Sequence, residues 1–323
     1  MQKDKVCLTT FIYGERYQAY IPFLVYSCHN SYPDYDIVLF VYGKLNEVVR
    51  RSLDYLSISN CRVIENSFDD CPNMTPLKSM ALRWVLWDDS FINYDYLYVV
   101  DIDMIYQQEN IPLHEQHKCH MQTTGLVYDN MRRKFIRRPF HPVSFLQRIK
   151  YAGFKRLFKY LTSDRLIYRA SGLHFVKVQE YYQSLTSEVR QLYKESIYHN
   201  RWLKNVMFPD NEALLYFILQ DLGLHPEKLP VQSNSYSSID FRNPERTEFR
   251  PHHGIHLGIF RSDIPISQRP SDEAILKTEA YKYYFIQFKD EMYSDPIFNY
   301  LLKEAPDYIK ESFDRMFKYA YNE

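Results

Sequence analysis

Glycine is scarce: eight residues in 323, against thirty tyrosines. No glycine-rich loop follows the first apolar run, which excludes a phosphate-cradling loop of the P-loop type. Net charge is absent as well. Lys plus Arg and Asp plus Glu number 40 each, so no global field draws the chain to nucleic acid. No run of 18 apolar residues exists, and the opening MQKDKVCLTT has no hydrophobic leader region. The expectation is therefore a soluble, cytoplasmic protein. Cysteine is sparse: Cys7, Cys28, Cys61, Cys71 and Cys119 are odd in number and form no Cys-x-x-Cys pair. This speaks for reduced thiols and against a structural zinc. What is plentiful is hydrophobic residue, at 46%, enough to build the core of one large α/β domain with appendages.

The richest stretch is YDYLYVVDIDMIY, residues 94–106. Leu97, Tyr98, Val99 and Val100 form an apolar, β-branched and aromatic run suited to a buried central strand. If the chain stays extended through Asp101-Ile102-Asp103, both carboxylates point one way and Ile102 turns into the core. Two carboxylates about 5 Å apart repel by roughly 3 kcal/mol at an effective dielectric near 20, and a cation removes that cost. Oxygen ligands suit Mg²⁺ or Mn²⁺ shared with substrate phosphates. A site at a strand's carboxyl end is where open α/β sheets take ligands.

Before this stretch the chain alternates. Residues 5–13, 36–42 and 61–66 read as strands, and residues 17–30 and 45–56 as helices, a βαβαβ opening that implies a parallel sheet. Residues 74–88 read as a helix opened by Thr75-Pro76, with Lys78 and Arg83 as its polar exceptions. Residues 119–128 read as a further strand. Between residues 132 and 169 stand twelve Lys or Arg against one acid, Asp164. Within that basic insertion Phe154, Leu157, Phe158 and Leu161 share a helical face opposite Lys155, Arg156 and Lys159, a pattern that suits an anionic membrane surface or packing on the sheet. Residues 170–178 read as a return to the sheet, with Gly172 letting the backbone approach a ligand. ALLYFILQ after Asp210-Asn211-Glu212 reads as a buried helix whose N-terminus favours an anion. Two of the eight glycines fall in HHGIHLGIFR, residues 252–261. From residue 279 onward the chain reads as helices, with Ile309, Phe313, Met316, Phe317 and Ala320 as a packing stripe.

YLYVVDIDMIY resembles the Asp-x-Asp strand of nucleotide-sugar glycosyltransferases with the GT-A fold. The order of the surrounding motifs, over roughly residues 5–262, is similar to the retaining group that includes glycogenin and bacterial lipooligosaccharide galactosyltransferases. The resemblance implies a Rossmann-like, mixed but mainly parallel sheet over residues 1–265, carrying the basic insertion at 130–169, and a helical extension at 266–323. It implies that Thr9, Thr10, Tyr13 and Tyr17 lie near uridine, and that Arg83 contacts the donor's sugar or phosphate. Asp210, Asn211 and Glu212 stand where the group has Asp-Gln-Asp, and so are the catalytic candidates. Ala170-Ser171-Gly172 stands where it has Asn-Ala-Gly. His256-x-Gly258-x-x-Arg261 resembles the His-x-x-Gly-x-x-Lys segment with one spacer fewer, so either His256 or His253 completes a Mn²⁺ (or Mg²⁺) site with Asp101 and Asp103. Arg261 then faces the donor's diphosphate.

The implied activity is metal-dependent transfer of a hexose from a UDP-sugar to a glycan or lipid-linked acceptor in bacterial surface polysaccharide synthesis, with no nucleic acid partner. Peripheral attachment to the inner face of the membrane through the insertion is expected. A sugar nucleotidyltransferase is disfavoured because it would need the missing glycine-rich loop. A non-catalytic carbohydrate or membrane-surface binding protein on the same scaffold is disfavoured by the intact Asp-x-Asp and histidine cluster.

Overall fold

A computed structural model describes residues 3–130, 170, 173–206, 210–225, 254–263 and 279–321. The basic insertion from 132 to 169, Gly172 and His253 lie outside the described residues. In chain order the elements begin with β1 (Val6–Ile12), a helical turn (Glu15–Gln18), α1 (Ile21–Ser31), β2 (Asp36–Val41), α2 (Glu47–Leu56), β3 (Cys61–Ile64) and α3 (Pro76–Leu82). There follow β4 (Tyr96–Val99), β5 (Met104–Ile105), α4 (Leu113–Thr124), β6 (Tyr128–Asn130), β7 (His174–Lys177), α5 (Val178–Ser184), α6 (Ser187–Tyr198) and α7 (Asn211–Asp221). The last are β8 (Ile255–His256), α8 (Glu279–Met292), α9 (Pro296–Glu304) and α10 (Asp307–Tyr321). Six strands form a sheet in the order β3-β2-β1-β4-β7-β6, and β5 and β8 form a two-stranded ribbon. This mixed α/β sheet with interleaved helices is the architecture the GT-A resemblance implies. The described chain divides into two compact units.

The first unit takes residues 1–11, 68–100 and 117–234. In it β1 runs parallel to β4, with Val6 opposite Tyr96 and Thr9 opposite Val99, while β7 runs antiparallel to both β4 and β6. Every residue of β1 is buried, and so are Leu97, Tyr98 and Val99, as strands covered on both faces require. At roughly 1.5–3 kcal/mol per buried large apolar side chain, these strands are a main source of the unit's stability. One polar pair lies inside. His117 Nδ1 meets Asp129 Oδ2 at 2.6 Å, both side chains nearly inaccessible, and the imidazole stacks on Phe175 with centroids 4.5 Å apart. A buried charge of this kind is tolerable only with such a partner.

The second unit takes residues 12–67, 101–116 and 235–323. Here β2 passes through α2 into the parallel strand β3, and α2 is capped by Asn46, which accepts a hydrogen bond from Val48 N at 2.9 Å. The C-terminal helices bury the expected stripe: Ile309, Phe313 and Met316 are inaccessible and Phe317 nearly so. Phe288 and Phe313 stack, and Phe23 of α1 sits 5.3 Å from the Phe313 ring, so α1 shares one aromatic core with the C-terminal helices.

Four elements differ from the sequence reading. The expected helix at 17–30 is interrupted, because Pro22 lacks an N–H and its ring would strike the carbonyl four residues back. The chain instead makes the turn Glu15–Gln18 and restarts at Ile21. The expected helix at 74–88 ends α-helically at Leu82 and continues as a single 3₁₀ turn, Arg83–Val85. It stops at Leu86, whose ψ of 140° leaves the helical region, and Asp88 then opens a separate 3₁₀ turn, Asp89–Asn93, by accepting from Ser90 N at 2.9 Å. Residues 119–128 are not a strand. Leu113, His117, Met121 and Thr124 are buried at helical spacing, and Gly125, at φ +67°, ends α4 before β6 begins. The fourth difference is at the Asp-x-Asp. The ladder to β1 continues to Val100, whose N donates to Thr9 O at 3.0 Å, but Ile102 and Asp103 lie in a turn, so strand alternation does not orient the two carboxylates.

His174 supplies a pH test of the first unit's core. Burial pushes its pKa down to about 3; Asp129 opposes this shift and Arg83 adds to it. Between about pH 3 and 6.5 the unfolded chain binds a proton that the folded chain refuses, so stability falls as pH drops through that window. The slope from this group is about 1.4 kcal/mol per pH unit. Urea unfolding at pH 7 and pH 5 should show a smaller acid loss for His174→Phe than for the parent, and equal losses would show that His174 accepts a proton when folded.

Candidate active site

In the second unit, the turn after Val100 sets Asp103 immediately before β5, and β5 pairs antiparallel with β8 so that Met104 lies opposite His256. Leu257 N donates to Asp103 O at 2.8 Å, which locks the register. The consequence is a contact between residues far apart in sequence: His256 Nε2 lies 3.0 Å from Asp103 Oδ1. The aspartate side chain is 11% exposed and the imidazole 41%, so the pair faces solvent on its histidine side.

Both glycines of the 252–261 segment are demanded by this geometry. A Cβ on Gly258 would run into the Asp103 carboxylate and approach His256 Nε2 to 3.5 Å. Gly254 has φ +65°, and a Cβ there would come within 2.5 Å of the Ile105 carbonyl oxygen. The first keeps the carboxylate in place and the second closes the ribbon.

Arg261 follows on the same segment. Its Nη1 donates to the Tyr17 hydroxyl at 3.2 Å and its Nε lies 3.6 Å from Asp263 Oδ1. Arg16 Nη1 lies 3.2 Å from the other Asp263 oxygen, and the Arg261 carbonyl accepts a hydrogen bond from Arg315 of α10 at 3.4 Å. Burial works against the Arg261 charge, but Tyr17, Asp263 and Asp103 outweigh it and raise the pKa. Arg16 and Arg261 thus share one carboxylate, Asp263, while Arg315 reaches the Arg261 backbone, an arrangement suited to an anionic ligand. Tyr13 packs edge-on against Tyr42, centroids 5.3 Å apart.

The first unit holds the other candidates. Arg83 is buried with its guanidinium 4.4 Å from the Trp84 ring centroid, and Trp84 Nε1 donates to the Asn211 carbonyl at 2.9 Å. Asp210 caps α7 by accepting from Glu212 N at 2.8 Å, and the Glu212 carbonyl accepts from Ala170 N at 3.0 Å. The N-terminus of α7 is thereby tied both to the helix that carries Arg83 and to the segment before β7. Thr9 and Thr10 are wholly buried in β1.

The candidate residues fit a divalent cation in part. Asp103 and His256 converge, Gly258 leaves the space beside them clear, and oxygen with imidazole nitrogen is a donor set suited to Mn²⁺. Asp101 is half-buried in the same turn, its carbonyl accepting from Met104 N at 3.4 Å. Its carboxylate is not gathered within 4.8 Å of both the Asp103 carboxylate and the His256 imidazole. A change of side-chain rotamer is the adjustment that would bring it in. Of the two histidines left open by the sequence, His256 is the one described against Asp103. Sequence reasoning missed Arg16, Arg315, Asp263 and Tyr20 as neighbours of this site. Pro22, which breaks the helix behind Tyr20, was the available signal for the last.

Gly258→Ala should lower Mn²⁺ affinity at least tenfold in calorimetric titration with the circular dichroism spectrum retained. Gly223→Ala, at φ +68° but with nothing within 4 Å of its new Cβ, should cost about 1 kcal/mol of stability and leave metal binding unchanged. Equal Mn²⁺ affinity in Gly258→Ala would show that the Asp103 carboxylate needs no such clearance.

No family model and no curated protein matches the chain. Among solved structures it is similar to core-mannan synthase A from Aspergillus fumigatus in its Mn/GDP form, at 10% identity and a TM-score of 0.38, covering 67% of this chain and 70% of that one. It is similar to the galactosyltransferase LgtC in complex with donor and acceptor sugar analogs, at 14% identity and a TM-score of 0.34, covering 66% and 70%. It is also similar to residues 1–349 of TarS from S. aureus in complex with UDP, at 11% identity and a TM-score of 0.35, covering 99% and 92%. TM-scores below 0.5 at such identities carry no inference about activity, which rests on the residues themselves.

Proposed function

We propose that the chain is a metal-dependent glycosyltransferase that moves a hexose from a UDP-sugar to a glycan or lipid-linked acceptor, with retention at the anomeric carbon. The observation that carries this reading is the Asp103–His256 contact cleared by Gly258, with Arg261 following on the same segment. Asp101, Asp103 and His256 would hold Mn²⁺ or Mg²⁺, which supplies charge neutralisation to the departing diphosphate. Arg261, supported by Tyr17 and Asp263, meets the same diphosphate through its guanidinium. Thr9, Thr10, Tyr13 and Gly172 are assigned to the donor, and Arg83 to its sugar or phosphate. Asp210 and Glu212, with Asn211 between them, are assigned to the sugar and the acceptor hydroxyl. The bond from the anomeric carbon to the phosphate oxygen breaks with its electron pair leaving on UDP, the acceptor oxygen bonds to the anomeric carbon, and the acceptor hydroxyl's proton passes to the departing diphosphate. The motif order resembling the retaining group supports retention.

A role in bacterial surface polysaccharide synthesis, close to an anionic membrane, is supported by the twelve cations against one acid between residues 132 and 169. No helix among the described residues is long and apolar enough to cross a membrane.

Incubation with a panel of nucleotide sugars, with and without Mn²⁺, tests the assignment directly. Slow donor hydrolysis should require the metal and be abolished in Asp103→Ala; undiminished hydrolysis in excess chelator would remove the metal from the mechanism. Asp210 needs a sharper pair of variants because it also caps α7. Asp210→Ala should lose about 1 kcal/mol of stability as well as turnover, whereas Asp210→Asn, an equally good cap, should keep stability and still lose turnover. Normal turnover in Asp210→Asn would reduce that residue to a cap. For the membrane, co-sedimentation with anionic vesicles should weaken with salt and fall when Lys155, Arg156 and Lys159 become Glu. No binding at low salt would remove the membrane from the proposal and leave the transfer reaction standing.

A further inference from the structure

Asp263 carries one negative charge and stands against two arginines. Arg16 Nη1 lies 3.2 Å from its Oδ2, and Arg261 Nε lies 3.6 Å from its Oδ1. The carboxylate offsets one guanidinium and leaves the charge of the other. Arg315, donating to the Arg261 carbonyl at 3.4 Å, adds a cation that has no ion pair among the described residues. All of these groups, with Tyr17 and Tyr308, belong to the second unit. Arg16 is held firmly for a surface residue. Gly14, at φ +87°, accepts from Tyr17 N at 3.1 Å and from Gln18 N at 3.2 Å, which closes the turn that carries it. The Tyr308 hydroxyl donates to the Arg16 carbonyl at 2.9 Å, and the Arg16 guanidinium lies 5.3 Å from the centroid of the same ring. One tyrosine of α10 therefore fixes both the backbone and the charged end of Arg16.

The Arg16 side chain is 42% exposed and that of Asp263 46%, so a ligand reaches Arg16 directly from solvent. Among the described residues the Arg16 guanidinium hydrogen-bonds to Asp263 alone, which leaves most of its N–H donors open. An ion pair this exposed adds little to stability, so folding does not account for the care with which Arg16 is placed. The two guanidiniums approach different oxygens of one carboxylate and so stand no farther apart than a single small anion can bridge. A diphosphate offers each of them its own charged group, with the paired oxygens that guanidinium geometry matches; a single phosphate can satisfy fully only one. We propose that Arg16 is a second diphosphate-binding residue, its guanidinium taking one phosphate of the donor while Arg261 takes the other, and that it selects diphosphates over single phosphates. This rests on the reading of Arg261 as the diphosphate cation. Phosphate oxygens accepting from both guanidiniums take up the positive charge that Asp263 leaves unbalanced.

The experiment titrates the full chain calorimetrically with inorganic pyrophosphate and, separately, with orthophosphate, at low salt and without metal, and records the melting temperature of each variant. The parent should prefer pyrophosphate. Arg16→Ala should weaken pyrophosphate binding about tenfold or more, leave orthophosphate within about twofold, and keep the parent's melting temperature, so that the preference collapses. Arg261→Ala should weaken both anions. Pyrophosphate affinity unchanged in Arg16→Ala but lost in Arg261→Ala would make the Arg16–Asp263 contact a plain surface ion pair and overturn the proposal, with Arg261 left in its role. An equal loss of both anions in Arg16→Ala, together with a lower melting temperature, would make Arg16 a structural residue and overturn it as well. A parent that binds neither anion would instead remove the diphosphate reading of Arg261 and this inference together.

Discussion

The candidate metal site depends on a two-residue β-ribbon. Met104 and Ile105 pair with His256 and Ile255, and this pairing, extended by the bond from Leu257 N to Asp103 O, carries a histidine across more than 150 positions of sequence to an aspartate. So short a ribbon has little stability of its own. It holds because Ile105, Ile255 and Leu257 are buried, and because Gly254 and Gly258 let two backbones come closer than any side chain would allow. In a chain with only eight glycines, two are committed here.

The surroundings of Arg261 follow from the same segment. Once Leu257–Phe260 is seated, with Phe260 edge-on to Phe285 of α8, the guanidinium is delivered to Tyr17 and Asp263 and its carbonyl to Arg315. The C-terminal helices are therefore more than an appendage to the sheet. Their aromatic core, centred on Phe288, Phe298 and Phe313, is continuous with Phe23 of α1, and α10 contributes Arg315 and Tyr308 beside the turn that carries Arg16. A chain unusually rich in aromatic residues uses them to make this support rigid.

The first unit fixes its own candidates by a different device. Trp84, Asn211 and the caps at Asp210 and Asp88 tie short, irregular helical turns to one another through backbone carbonyls and amides. Arg83 is presented from a 3₁₀ turn and not from a regular α-helix, which changes the direction of its side chain relative to the helix reading.

Much of the architecture was legible in residue patterns alone. The strands at 6–12, 36–41, 61–64 and 96–99, the cap at Asp210, the C-terminal helices and the pairing of scarce glycines with histidine and arginine all follow from local periodicity, capping chemistry and composition. Local pattern failed where a longer-range contact or a backbone break outweighed it. Pro22 split a helix, Leu86 turned out of another, and residues 119–124 joined a helix whose buried face begins at Leu113, outside the window that read as a strand. Which carboxylate meets which histidine was beyond the sequence. Alternation along a strand orients side chains only while the chain stays extended, and here Ile102 and Asp103 lie in a turn. The partner of Asp103 was decided by the register of a ribbon formed from segments far apart in the chain, a choice made by close packing at Gly254 and Gly258 that no run of neighbouring residues encodes.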